Sequence, residues 1–399
     1  MDCAMVEERD IVGISVPFAA GIAAGAFLCA RTDIRTAVPA DCLFLFLVGV
    51  LILTAHFGRI GRFDRLSDRL VSQSNHCDRS NHRGPRIFFA GIFLLTGLFC
   101  SLNSHVAAGV PEYAAFPLKD IAMRASARLK SVIDSIPYQT ETTGPLVKAL
   151  LTGDKCDLTK EITGIFRSSG ASHILALSGL HLGVLYIILA KLTAPIGNSP
   201  TARRLRYSLI ITAALFYTVM TGASPSIVRA FLFITINETC KLLGRKRDPV
   251  KVLLAALTIQ LAARPDVISS VGFQLSYMAM AGIFILYPAL ERIYPASDGS
   301  RLASLDPFRK IWNAAMLPIS CQVFTGPLAW HYFHTFPKYF ILTNLTALPL
   351  TSAVMVLSVA TIALSFFGIC PEPLVILNDH AAQALVFCLR IISGLDEPL

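Results

Sequence analysis

Long apolar stretches, punctuated by short charged ones, set the pattern of this chain. Stretches with few or no charges run over residues 11–30, 40–57, 86–108, 171–190, 207–223, 225–242, 250–263, 267–289, 310–333, 339–368 and 373–394. Bilayer hydrocarbon is about 30 Å thick, so a helix needs about 20 apolar residues to cross it and must satisfy its own backbone hydrogen bonds there. The pattern therefore predicts an all-α, polytopic transmembrane protein of about ten spans. The 250–263 stretch is short enough to be re-entrant. The 339–368 stretch is too long for one straight helix, and Pro349 inside it removes a helix hydrogen bond, so a kinked or broken helix is expected there.

Between the third and fourth stretches the pattern changes. Leu118, Ile121, Ala122, Ala125, Leu129, Val132 and Ile136 recur near helical spacing, with Lys119, Arg124, Arg128 and Lys130 between them. This predicts an amphipathic helix over 118–136, which either lies on the bilayer surface or packs on the protein's own outer face. A second helix over 143–152 is expected to end at Gly153, a common C-terminal cap, in Gly153-Asp154-Lys155. Three regions follow: a three-span membrane segment over 1–109, an extracytoplasmic amphipathic linker over 110–142, and a second membrane domain over 143–399.

Composition agrees with this reading. Hydrophobic residues make up 54% of the chain and charged residues 15%, against about 25% charged in ordinary soluble domains. The net charge of +9 is concentrated in loops. Arg59, Arg62, Arg65, Arg69, Arg79, Arg83 and Arg86 follow the second stretch; Lys191, Arg203, Arg204 and Arg206 follow the fourth; Lys241, Arg245, Lys246, Arg247 and Lys251 follow the sixth. All three loops fall on one side, which the positive-inside rule makes cytoplasmic. That places the N-terminus in the cytoplasm, residues 109–170 outside, and the protein in the inner (plasma) membrane. Glu7-Glu8-Arg9-Asp10 lacks the positive start of a cleaved signal, so the first stretch is expected to be a retained helix. Gly21 and Gly25 within it have small-xxx-small spacing. The 10 cysteines form no Cys-x-x-Cys pair and no zinc-site spacing, so no metal site and no cofactor are expected.

The chemistry lies in the polar residues that interrupt apolar segments. His173, Ser178 and His181 lie in the fourth stretch, and the two histidines fall about two helical turns apart on roughly one face. Arg229 sits within the apolar run 227–236, where an arginine costs about 2.5–3.5 kcal/mol on insertion scales. Either a structural partner (Glu238, Asp266 or backbone carbonyls) compensates it, or a wet cavity does. Asn237, Gln274, Ser276, Gln322 and Asn344 complete the polar set. Ser178-Gly179 is also a small-residue seam that admits a neighbouring helix. Trp330, Tyr332, Phe333, Phe336, Tyr339 and Phe340, with His331, His334 and Lys338, form an interfacial belt or a stacking platform for bases. Ser178 with a histidine is a candidate hydrolytic dyad, with His380 on another helix the better-placed base.

Several separated motifs resemble one family. They are Ala149-Leu150-Leu151-Thr152-Gly153-Asp154-Lys155, Phe166-Arg167 with Gly170, His173-Ile174-Leu175-Ala176-Leu177-Ser178-Gly179-Leu180-His181, Ser224-Pro225-Ser226-Ile227-Val228-Arg229-Ala230, Asp266, Gly272-Phe273-Gln274-Leu275-Ser276-Tyr277, and Asn344 with Pro349. In order and spacing over about 141–395, the chain resembles the membrane competence domain of ComEC-type DNA-uptake proteins. The resemblance implies an inner-membrane channel or translocase component that passes single-stranded DNA into the cytoplasm during natural transformation. Its partners would be the DNA, the lipid bilayer, a DNA receptor, cytoplasmic DNA-binding or motor proteins and a separate nuclease; self-association stays open. Residues 109–140 are too few for the family's OB-fold, and nothing after residue 395 matches its metallo-β-lactamase-like domain, so no nuclease activity, and no enzyme, is expected here. The expected DNA path is Arg167, His173, Ser178, His181, Arg229 and Gln274. Gly179, Gly272, Asn344 and Pro349 are expected to serve helix packing or kinking. An intramembrane serine protease and a small-solute transporter are the alternatives.

Overall fold

A computed structural model describes residues 15–24, 97, 117–197, 199–294, 307–334, 337–369 and 371–395. Among these residues the chain is helical and has no strand. Most of the first three expected spans, including Gly25, and Phe336 lie outside them. The chain divides into two compact units, Met1–Tyr113 with Leu254–Ser270, and Ala114–Leu253 with Val271–Leu399.

In the smaller unit, helix α1 (Ser15–Ala24) packs closely on its neighbours. A Cβ at Gly97 would lie 2.0 Å from the Phe18 carbonyl oxygen. Thr258 donates its hydroxyl to Ser15 Oγ at 2.8 Å.

The larger unit begins with α2 (Pro117–Ser135) and α3 (Thr143–Thr152), close to the boundaries the periodicity predicts. Ala122 and Ile133 of α2 are buried, while Ile121, Arg124 and Arg128 are exposed. Helix α2 packs on α3, on α7 (Pro200–Met220) and on α13 (Phe340–Ser365). Gly153 caps α3 at φ 79°, and its N–H donates to the Ala149 carbonyl at 3.0 Å. A side chain here would be strained by this left-handed backbone, and its Cβ would meet Leu177 Cδ1 at 2.4 Å. Asp154, next in the chain, takes Lys130 of α2 at 2.5 Å and the Cys156 N–H at 3.0 Å.

Helix α4 (Lys160–Ser168) starts at Thr159, whose hydroxyl accepts the Ile162 N–H at 3.3 Å. The expected span over 171–190 is not one helix. A single turn, α5 (Ser172–Leu175), ends at extended Ala176, and α6 (Gly179–Leu192) starts afresh. Ser178, extended at φ −129°, is the N-cap. Its side chain competes with the helix backbone and favours a helix start over a helix interior.

Helices α7 and α8 (Pro225–Leu242) follow, then α9 (Pro249–Ala263). The next expected span is composite: α10 (Val271–Ala281), a wide π turn over Gly282–Leu286, and α11 (Tyr287–Glu291). The wide turn marks a close approach, since a Cβ on Gly282 would lie 2.2 Å from the Ser320 carbonyl oxygen. Ser320 belongs to α12 (Pro307–Phe333). The last two helices, α13 and α14 (Glu372–Gly394), form an antiparallel pair.

Pro349 does not break α13. The helix is continuous over 26 residues, about 39 Å at 1.5 Å per residue, longer than the hydrocarbon. A single proline removes one backbone bond and does not stop a helix whose buried side is otherwise packed. That side is a seam of Thr343, Ala347, Thr351, Val354, Ser358 and Ile362 spaced three and four apart.

Among the described residues, four segments are long and apolar enough to cross a membrane: Gly179–Ile196, Val271–Glu291, Phe340–Ser365 and Glu372–Gly394. Four of the about ten spans expected from the sequence are thus seen as such among the described residues. Helix α7 carries Arg203, Arg204 and Arg206, and α8 carries Arg229, Glu238 and Lys241, which lowers the mean hydropathy of both. The chain is a helical membrane protein. One buried cluster joins α3, α4, α13 and α14 through Leu146, Leu150, Phe166, Val354, Leu385 and Leu389. A second joins α6, α7 and α8 through Leu182, Ile210, Ala214, Tyr217, Ile227 and Ile234.

Each of these contacts sets an expected response to substitution. Gly282→Ala lowers the thermal midpoint in detergent, because the added methyl must move the backbone of α12, at about 1–3 kcal/mol. Gly183→Ala, whose Cβ would meet nothing within 4 Å, leaves the midpoint unchanged or raises it. The Lys130 ammonium, then the contacts with Cys156, hold the Asp154 carboxyl well below the usual carboxylate range. The Asp154 contribution is therefore present above the unfolded value of about 3.9 and lost as pH falls towards the lower folded value. Asp154→Asn is less stable than the parent at pH 7, and urea unfolding shows the gap closing below pH 4.

Candidate functional site: a buried arginine among four helices

Arg229 and Ser276, out of the polar residues of the apolar segments, meet where α6, α8 and α10 approach. Ser224-Pro225 begins α8, with proline at the first helical position, where its missing N–H is harmless. One turn on, Arg229 points away from solvent and is 7% exposed. Its guanidinium donates to Ser276 Oγ of α10 and lies 5.9 Å from the Tyr277 ring centroid, within cation–π range. On its other side is Gly179 of α6, where a Cβ would come within 3.1 Å of Arg229 Nη2. The small-residue seam expected at Ser178-Gly179 is thus the wall against which the arginine lies.

Neither carboxylate considered as its partner holds Arg229. Glu238 binds Lys241 and accepts the Tyr186 hydroxyl at 2.6 Å. Asp266 lies 3.6 Å from Arg264. Among the described residues no acid pairs with Arg229, so its charge is balanced by a hydroxyl and a ring face alone. Gln274, also on α10, accepts the Tyr332 hydroxyl of α12 at 2.9 Å. Ser226 donates to the Gly272 carbonyl at 3.3 Å. Gly272 itself has open space about it, with nothing within 4 Å of a Cβ.

His173 and His181 do not share a helix face, because the chain breaks between them. His173, on α5, is exposed, and its Nδ1 lies 3.2 Å from the Gly170 carbonyl. Asn344 donates to the Phe340 carbonyl at 2.7 Å. His181 is 1% exposed and closes the capping box of α6. Its Nδ1 accepts the Ser178 N–H at 3.2 Å and lies 3.1 Å from Ser178 Oγ, which in turn accepts the Leu180 N–H at 3.3 Å. A histidine here fills the place usually taken by glutamate or glutamine. Nδ1 is the acceptor, so the ring proton sits on Nε2, which has no partner.

The Ser178–His181 distance suits a dyad. Its setting is a helix cap. Nothing orients Nε2, and the cavity beside His181 is lined by apolar side chains such as Val184, Met355 and Ile362. His380 is exposed on α14. Arg167 is exposed in the last turn of α4, and the structure records no contact between it and the arginine cluster.

One buried polar group escaped the sequence reading. Asp379 of α14 is 1% exposed; one oxygen accepts the Gln139 N–H at 2.7 Å and the other has no partner. Beside it Asn378 donates to Ser358 of α13 at 3.1 Å. An acid within an apolar helix is itself the signal that could have found it.

This assembly defines a polytopic helical membrane protein whose buried cation is held by neutral partners. Residues 150–397 match the Competence protein family, and the chain belongs to that family. It is 24% identical over 272 residues to the uncharacterized protein YcaI of Escherichia coli (strain K12), covering 66% of this chain and 34% of that one. It is 23% identical over 210 residues to ComE operon protein 3 of Bacillus subtilis (strain 168), covering 52% of this chain and 25% of the relative. An uncharacterized protein of Aquifex aeolicus (strain VF5) is 28% identical over 145 residues, covering 36% of this chain and 33% of the relative. The matches thus span about a third or less of these relatives. No solved structure matches the chain.

Removing the cap tests the local geometry. Ser178→Ala destabilises by about 0.5–2 kcal/mol and Ser178→Asn restores most of the loss, read from thermal melts in detergent.

Proposed function

We propose that this chain is the membrane-embedded part of an inner-membrane translocase that passes single-stranded DNA into the cytoplasm during natural transformation. Membership of the Competence family and the likeness to ComE operon protein 3 support a role in DNA uptake. The observation that carries the finer reading is Arg229, a buried cation with no acid partner among the described residues. A phosphate crossing low-dielectric surroundings needs a cation that is not already neutralised, and it must be released again afterwards.

In this reading Arg229 is the innermost phosphate contact, with Gln274 and Ser178 beside it as neutral donors. Arg167 and His173 form the outer approach. His181 is a positioning residue that fixes the break before α6. The three basic loops face the cytoplasm, the N-terminus lies inside, and the remaining spans of the about ten expected fall among the apolar stretches before residue 114 and the more polar helices α7, α8 and α12. A DNA receptor and cytoplasmic DNA-binding or motor proteins are the proposed partners. The protease alternative asks Ser178 to act on a wet substrate, and the apolar cavity beside His181 gives it no support. No observation favours the solute transporter.

The test is transformation frequency in a strain that carries the altered chain, with membrane levels matched. Arg229→Ala lowers it at least tenfold, and Arg229→Lys, which keeps the charge but loses the planar fork, retains an intermediate frequency. Unchanged transformation in Arg229→Ala would remove the path assignment.

A further inference from the structure

Next to His181 lies a cavity of about 270 Å³, walled by α2, α3, α6, α7 and α13. It is well above the roughly 150 Å³ at which an apolar protein cavity already binds benzene and stays dry. Leu129, Val184, Met220, Met355 and Val359 line it. The Tyr217 hydroxyl, also in the wall, is spent on the Leu151 carbonyl at 3.0 Å. The remaining polar wall group is the His181 ring, whose Nε2 is buried without a partner. Ala363 and Phe366 line the cavity and are themselves exposed, so it opens to the surface at the end of α13. On α2, exposed Arg124 and Arg128 stand one turn apart, and Arg128 directly precedes Leu129 of the wall.

We propose that this cavity holds an acyl chain of an anionic phospholipid of the surrounding bilayer. The walls offer the chain an apolar lining and exclude phosphate and DNA. Arg124 and Arg128 supply the positive charge that an anionic headgroup answers and a zwitterionic one does not. The lipid would brace α2 and α13 against α6, the helix whose start carries Ser178 and Gly179. This site is independent of the DNA-path reading, since no phosphate of a strand enters it.

The experiment uses the full chain in nanodiscs with a phosphatidylglycerol that carries a diazirine in its acyl chain. After illumination, peptide mapping is expected to place label on Leu129, Met220 or Val359. Excess unlabelled phosphatidylglycerol lowers that label at least fivefold, and phosphatidylcholine does not. Val359→Trp, which fills the cavity, lowers it by a similar factor, and Arg124→Gln with Arg128→Gln removes the preference for the anionic lipid. Where Val359→Trp does not fold, the competition on the parent protein decides. Label spread evenly over lipid-facing helices, equal competition by phosphatidylcholine, or competition by free fatty acid alone would each overturn the proposal.

Discussion

A guanidinium buried against a glycine, a serine hydroxyl and a tyrosine ring is the constraint around which this membrane domain is arranged. Arg229 can sit where it does because Gly179 has no side chain and because α10 presents Ser276 and Tyr277 together. The three helices α6, α8 and α10 are therefore located relative to one another by one polar group. Hydrocarbon gives the converging helices no hydrophobic reason to prefer each other over lipid, so polar contacts and close small-residue packing carry the specificity. The same logic recurs at Gly282 against α12 and in the Asn378–Ser358 bond between α14 and α13.

The break before α6 is the second element of the arrangement. Were 171–190 one helix, His173 and His181 would share a face and Ser178 would lie between them. The extended residues at Ala176 and Ser178 separate them. His173 turns outward and meets the Gly170 carbonyl, and His181 turns inward to cap α6. Two residues that look alike in the sequence thus do different work: one lies at the surface beside the turn before α5, and the other satisfies backbone groups at a buried helix start.

Local chemistry made part of this legible in advance. The periodicity of α2 and the glycine that ends α3 depend on near neighbours, and their boundaries follow the pattern closely. The break at Ala176–Ser178 was hidden because an apolar run has the same composition whether or not it is continuous. The continuity of α13 through Pro349 was hidden for the converse reason: tertiary packing along its seam outweighs one lost backbone bond. Arg229 stood out by charge alone, but its partners did not, because pairing with Ser276 and Tyr277 is set by helix approach and not by sequence distance. Asp379 was overlooked although it bears the same mark, an ionisable group in an apolar helix.

The choice of neutral partners for Arg229 has an energetic consequence for the proposed path. Breaking a buried ion pair costs about 3–5 kcal/mol, because the abandoned carboxylate stays charged in poor surroundings. Displacing one hydrogen bond between a charged group and a hydroxyl costs about 1.5–3 kcal/mol net. On the proposed path, a phosphate that competes with Ser276 would thus face the smaller barrier. Glu238 and Asp266 are each engaged with their own cation and do not neutralise Arg229. A cation held by neutral groups would accept an anion at lower cost than a salt-bridged arginine at the same place.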